Sequence, residues 1–208
     1  MTEMIDILRR GPVVPVIVID SLEDAVPLAT ALLEAGLDVL EVTLRTPVAI
    51  EAVKAIKSAL PHAIVGTGTV TNMTTLHASL EAGADFLVSP GTTNSLIRDA
   101  LAEGANLLPG VATPSEAMRL LEEGFTCQKF FPAEAAGGVA MLKAFAGPLP
   151  QITFCPTGGI NAQSAKNYLA LSNVACVGGS WMLDKALIQQ KNWSAITELA
   201  RQAKQIQF

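Results

Sequence analysis

Leu33-Glu34-Ala35-Gly36, followed by Val39-Leu40-Glu41-Val42-Thr43-Leu44, shows the unit from which the chain is built. The first four residues read as the end of an amphipathic helix. Glycine is the residue expected just past such an end, because it takes a positive φ without steric cost. The second stretch is a short apolar run bounded by turn residues, which reads as a buried strand. The pattern returns three times. Leu80-Glu81-Ala82-Gly83 leads into Phe86-Leu87-Val88-Ser89, Ala102-Glu103-Gly104 into Asn106-Leu107-Leu108, and Leu121-Glu122-Glu123-Gly124 into Cys127-Gln128-Lys129-Phe130-Phe131. The interval between the first two glycines is about double the later ones, and Pro61 supplies the missing helix stop.

Apolar runs place eight strands near 13–19, 39–44, 64–70, 86–90, 106–112, 127–133, 152–157 and 174–179. Helical patterns such as Glu51-Ala52-Val53-Lys54-Ala55-Ile56-Lys57 separate them. A further helix is expected over 2–10, and a closing helix over 193–206. Strands that alternate with helices pair in parallel. Eight such units predict a (β/α)8 TIM barrel with an extra N-terminal helix, as a single domain over residues 1–208. An open doubly wound sheet is the structural alternative. It calls for a glycine fingerprint after the first strand, where Ile19-Asp20-Ser21-Leu22 has none.

Composition agrees with one domain, since a domain takes roughly 150 residues. The chain is 50% hydrophobic and 16% charged, with mean hydropathy +0.40, which excludes a disordered chain. Its net charge of −5 leaves no basic footprint for nucleic acid. No apolar run reaches the roughly 18 residues of a membrane helix. The acidic start Met1-Thr2-Glu3-Met4-Ile5-Asp6 lacks the pattern of a signal peptide. Cys127, Cys155 and Cys176 are odd in number and show no CxxC spacing, so neither a disulfide framework nor a zinc knuckle is expected. Buried free thiols in apolar runs fit a cytoplasmic protein. His62 and His77 stand apart in helical or helix-end positions, and no metal site or Ser/His/Asp triad is expected from them.

In a barrel of this kind chemistry sits at the C-terminal ends of the strands. Seven of the eight lysines fall in polar, helical or terminal segments; Lys129 alone stands in an apolar strand. A buried, unpaired ammonium is costly. Lys129 is therefore either half of a structural ion pair or an amine that attacks carbonyls to form a Schiff base. Glu41 is the one carboxylate in mid-strand, and strand periodicity puts it on one face with Thr43 and Arg45. A structural pair of Glu41 with Arg45 or Lys129 and an acid/base role overlap here, because a Lys–Glu couple in an apolar cavity also suits proton transfer. Pro156-Thr157-Gly158-Gly159 closes the seventh strand and Gly178-Gly179-Ser180-Trp181 the eighth. Glycines let backbone N–H groups approach an anion, and these two strand ends are the usual phosphate site of the barrel class.

These blocks, in order and at matching spacing, resemble one family. They are Leu40-Glu41-Val42-Thr43-Leu44-Arg45-Thr46, Gly66-Thr67-Gly68-Thr69-Val70, Ser89-Pro90-Gly91, Lys129-Phe130-Phe131-Pro132-Ala133-Glu134, Pro156-Thr157-Gly158-Gly159-Ile160 and Gly178-Gly179-Ser180-Trp181. The chain is similar to the 2-keto-3-deoxy-6-phosphogluconate (KDPG) and 4-hydroxy-2-oxoglutarate aldolases over essentially its whole length. The resemblance implies a class I aldolase on a (β/α)8 barrel, assembled as a homotrimer, working without a cofactor through a covalent lysine imine. It implies Lys129 as the Schiff-base lysine and Glu41 as the general acid/base. Arg45 and Thr69 match the contacts to the pyruvate carboxylate, Pro90 and Phe131 line the pocket, and Thr157 contacts the keto acid or its hydroxyls. Gly158, Gly159, Gly179 and Ser180 match the phosphate site. The implied partner is a small phosphorylated keto acid, with no nucleic acid and no membrane.

Two rivals carry their own requirements. A phosphosugar isomerase or epimerase on the same barrel would use the glycine phosphate site and needs a second strand-end acid opposite Glu41, for which Glu134 is the one candidate. A non-catalytic barrel that senses a phosphorylated metabolite should have lost the strand lysine or acid, and both are present.

Overall fold

The four helix-stop glycines adopt the backbone their positions call for. Gly36, Gly83, Gly104 and Gly124 have φ of 86°, 80°, 59° and 91°, a region closed to most side chains. The computed structural model describes residues 2–206. Met1, Gln207 and Phe208, the ends of the 1–208 span read as one domain, lie outside the described residues.

Helix α1 (Met4–Leu8) precedes strand β1 (Val13–Ile17), and a 3-10 turn (Leu22–Asp24) runs into α2 (Ala25–Glu34). Then come β2 (Val39–Thr43), α3 (Ala49–Ala59), β3 (Ile64–Gly68), α4 (Met73–Glu81), β4 (Phe86–Val88) and α5 (Asn94–Ala102). Two short strands, β5 (Leu107–Leu108) and β6 (Gly110–Val111), are followed by α6 (Pro114–Glu122), β7 (Cys127–Phe130) and α7 (Gly138–Ala146). The chain ends with β8 (Thr153–Pro156), α8 (Ala162–Leu169), β9 (Val177–Gly179), α9 (Lys185–Gln189) and α10 (Trp193–Lys204). The expected helices at both ends are present, each shorter than the span expected. The five-residue α9 was not among the expected elements.

All strand pairs are parallel, in an α/β fold with a curled sheet. The hydrogen-bonded ladder is not one continuous eight-stranded sheet. It divides into a six-stranded sheet, β5-β4-β3-β2-β1-β9, and a three-stranded sheet, β6-β7-β8. The expected strand at 106–112 is split by Pro109, which has no N–H to give to a ladder. On the other side, β8 and β9 meet through the isolated parallel bridge between Thr157 and Gly178.

Two apolar layers follow from strand alternation. One face packs against the helices; Phe130 and Phe154, for example, pack on Phe145 of α7. The other face turns inward. There Ile7 and Leu8 of α1 pack with Val14, Val39, Phe86 and the three cysteines, so the short first helix plugs one end of the curl. Cys127, Cys155 and Cys176 are all buried and free, as expected. Among the described residues, no helix is long and apolar enough to cross a membrane.

Candidate active site

The inner face of β2 carries Glu41 and Thr43, set by the period of two and by a register that puts Glu41 beside Val16 of β1 and Gly66 of β3. Of the two glycines of β3, Gly68 makes the room that Glu41 occupies and Gly66 the room for the Phe86 ring. A Cβ added at Gly68 would lie 2.2 Å from Glu41 Oε1, and one at Gly66 2.4 Å from the Phe86 ring. The strand-end segment Gly66-Thr67-Gly68-Thr69 has a spacing role that its place in the sequence does not by itself assign. Its signal was glycine at alternate positions of one strand, which marks a close approach on one face.

Lys129 points inward from β7, between Gly110 of β6 and Cys155 of β8. Its Nζ donates to Glu41 Oε1 at 3.2 Å, with both side chains about 95% covered, at 6% and 5% exposure. The ammonium also lies 5.2 Å from the centroid of the Phe131 ring, within cation–π range. Phe130, the sequence neighbour of Lys129, does not join it. Alternation sends it to the opposite face, where its ring lies 6.1 Å from that of Phe145 and 6.4 Å from that of Phe154.

A buried ion pair is poor value as a structural element. Apolar residues of similar volume often do as well or better, while losing one partner costs about 3–5 kcal/mol because the other charge is stranded. A lysine and a carboxylate held together in an apolar interior are, by contrast, a nucleophile and a proton acceptor within transfer distance. Below them, Cys176 Sγ donates to Cys155 Sγ at 3.6 Å. That hydrogen bond and burial hold the Cys176 thiol well above its ordinary range, so it is an inert neutral floor.

Arg45 follows β2. Its Nε donates to Thr43 Oγ1 at 3.2 Å, and Thr43 donates in turn to the Ile17 carbonyl at 2.9 Å. Arg45 is thus aimed by its own strand and by β1. It shares a cavity of about 480 Å³ with Ser180, Asp20 and Lys185, none of the last two foreseen from sequence. Lys129 and Glu41 are not in that cavity's lining; they lie deeper in the fold. Thr69 stands at the end of β3 with φ 65°, a strained conformation for a β-branched residue and one that clusters at functional sites. Pro90 follows β4, with its backbone so close to Gly110 that a Cβ there would come within 2.4 Å.

Thr157 is 6% exposed, and Gly178 faces it closely enough that a Cβ would stand 2.2 Å from its Oγ1. Gly158 and Gly159 turn the chain at φ 105° and 79°. Gly179 packs under Trp181, whose ring lies 1.9 Å from where a Cβ would be, and Ser180 is exposed at the cavity. The β8 and β9 ends therefore stand side by side, joined by the Thr157–Gly178 bridge. Glu134, the candidate second acid, is engaged elsewhere: its Oε1 accepts from Tyr168 at 2.9 Å. Among the described residues no group of three His, Cys, Asp or Glu could hold a metal ion. His77 is paired with Glu103 at 3.2 Å.

A family model described as KDPG and KHG aldolase matches residues 4–199. The 2-dehydro-3-deoxy-phosphogluconate aldolase of Pseudoalteromonas atlantica is 50% identical over 198 residues, 95% of this chain and 92% of that one. The KHG/KDPG aldolase of Escherichia coli K12 is 50% identical over 197 residues, with the same coverage of 95% and 92%. Among solved structures, a KDPG aldolase from Legionella pneumophila superposes with a TM-score of 0.95 at 49% identity, covering 98% of each chain. In that crystal, pyruvate was captured at low pH as a covalent carbinolamine intermediate.

Proposed function

This chain belongs to the KDPG and KHG aldolase family, and from that premise we propose that it is a class I aldolase. As a lyase it cleaves 2-dehydro-3-deoxy-6-phosphogluconate to pyruvate and glyceraldehyde 3-phosphate, and 4-hydroxy-2-oxoglutarate to pyruvate and glyoxylate. The observation that carries this reading is the buried contact of Lys129 Nζ with Glu41 Oε1 at 3.2 Å. No cofactor is needed, because the imine itself is the electron sink.

The steps follow from the pair. The uncharged Lys129 amine attacks the ketone carbon C2, and Glu41 moves a proton to the departing oxygen, which leaves as water. The resulting iminium withdraws electrons from C3. Glu41, now a base, takes the proton of the C4 hydroxyl. The C3–C4 bond then breaks, its electron pair moves into the iminium to give an enamine, and the aldehyde departs. Glu41 returns the proton to C3, and water hydrolyses the imine to pyruvate and the free amine.

Arg45 and Thr69 hold the pyruvate carboxylate, and an Arg already aimed by Thr43 loses little side-chain freedom on doing so. Pro90 and Phe131 supply the apolar wall, and Thr157 binds the keto acid or its hydroxyls. The phosphate sits on Gly158, Gly159, Gly179 and Ser180. In a chain of net charge −5 it is the local N–H and hydroxyl donors, not a basic surface, that attract it. The isomerase reading has no observation in its favour, since Glu134 is bonded to Tyr168.

In this reading the chain is one domain, and its two sheets close as a (β/α)8 barrel. β5 and β6 count as one strand broken at Pro109, and the Thr157–Gly178 bridge supports closure between β8 and β9. It assembles as a homotrimer, for which exposed Met73, Leu101 and Met118 offer apolar surface to bury. It works in the cytoplasm, where Cys127, Cys155 and Cys176 stay reduced.

Coupled pyruvate release tests the substrate assignment. Ser180→Ala should raise KM for the phosphorylated substrate about tenfold, the worth of one charge-assisted hydrogen bond. It should leave cleavage of 4-hydroxy-2-oxoglutarate within about twofold. An equal loss on both substrates contradicts a phosphate role for Ser180.

A further inference from the structure

Glu134 takes no part in the chemistry above, yet its placement is specific. Its tip accepts a hydrogen bond from the Tyr168 hydroxyl of α8 at 2.9 Å. Tyr168 is 1% exposed. Burial first, and then the Glu134 carboxylate, push this hydroxyl far above its ordinary range, so it remains a donor. The stem of Glu134 lies against the glycine turn. A Cβ added at Gly159 would stand 2.8 Å from Glu134 Cγ and 2.9 Å from its Cβ. Backbone bonds join the same two segments: Ala133 N donates to the Thr157 carbonyl at 2.8 Å, and Glu134 N to the Gly158 carbonyl at 3.1 Å. One side chain is thus anchored to a helix at its tip and supports the turn along its stem.

We propose that Glu134 and Tyr168 form a strut that positions the Gly158-Gly159 turn for the phosphate of the substrate. This rests on the reading of that turn as the phosphate site. Two consecutive glycines have more backbone freedom than any other pair, so donors mounted on them are oriented only if something outside the turn fixes it. The two backbone bonds reach Thr157 and Gly158, and the Glu134 stem is what meets Gly159. An acid beside a bound dianion would also repel it if free to swing. Its bond to Tyr168 holds the carboxylate in one place. Glu134 and Tyr168 are positioning residues in this scheme, acting on binding of the phosphorylated end and not on bond cleavage.

The test compares Tyr168→Phe, Glu134→Ala and Glu134→Gln with the wild-type enzyme on both substrates, together with inhibition by inorganic phosphate. Tyr168→Phe keeps the buried ring, and the freed carboxylate at Glu134 can reach water, so the fold is expected to survive. Tyr168→Phe and Glu134→Ala should raise KM for the phosphorylated substrate about five- to tenfold and weaken phosphate inhibition to match. The kcat on that substrate, and both constants for 4-hydroxy-2-oxoglutarate, should stay within about twofold. Glu134→Gln, whose amide oxygen still accepts from Tyr168, should behave as wild type. Equal losses on both substrates, an unchanged KM for the phosphorylated one, or a Glu134→Gln enzyme as impaired as Glu134→Ala overturns the strut and leaves the phosphate reading standing. Failure of that reading looks different: the wild-type enzyme would show no preference for the phosphorylated substrate, and Ser180→Ala would change nothing, which overturns the strut as well.

Discussion

Lys129→Ala is expected to lower kcat for retro-aldol cleavage at least about 10⁴-fold, equivalent to about 5.5 kcal/mol of transition-state stabilisation. Without the amine no imine forms, and the carbanion left by C3–C4 cleavage has no electron sink. The loss should be the same on both substrates, because both share the pyruvate half. Stability is the competing concern. Removing Lys129 strands the 4% exposed Glu41 among apolar neighbours. A stranded charge costs about 3–5 kcal/mol out of a total stability of about 5–15 kcal/mol. Lys129→Met, which keeps the stem's volume, separates the two effects. Far-ultraviolet circular dichroism should show native helix content in a variant that has lost turnover. Cleavage within tenfold of wild type in either folded variant would contradict the assigned role.

Glu41→Gln carries the second large expected effect, a loss of about 10²–10⁴-fold in kcat, the usual range for removing a positioned acid/base. The amide fills the space that Gly68 leaves and can still accept from Lys129. The buried ammonium loses its charge partner, however, so a stability loss of up to about 3–5 kcal/mol is expected. Turnover is therefore compared in enzyme shown to be folded by circular dichroism. What disappears is the capacity to take and return a proton. Exchange of the pyruvate methyl protons with deuterium from solvent, followed by NMR, isolates the enamine step from cleavage. It should slow in Glu41→Gln by a similar factor. Exchange at the wild-type rate would move the proton-transfer role to another residue.

The parts of this site that lie on one strand were legible in the sequence. Glu41 and Thr43 share a face because a strand repeats every two residues, and Thr43 does bond Arg45. Lys129 stood out because a cation in an apolar strand needs a reason. The four glycine stops were legible because a left-handed turn has few other candidates. What stayed hidden depends on contacts between distant segments. Lys129 and Glu41 are 88 positions apart, and their pairing was one option among several until β7 and β2 faced each other. The break at Pro109 divides a run that hydropathy reads as one strand. Phe131 beside the lysine and Phe130 on the far face follow from the same period of two once the strand is placed. The bond between Glu134 and Tyr168, and the space at Gly68 for Glu41, come from side chains that no local pattern links.

The most direct measurement is to incubate the enzyme with pyruvate, reduce with borohydride and map the modified peptide by mass spectrometry. A single reduced pyruvyl adduct on Lys129, lost in Lys129→Ala, is the expected result; an adduct on any other lysine, or none, would contradict Schiff-base catalysis at this site.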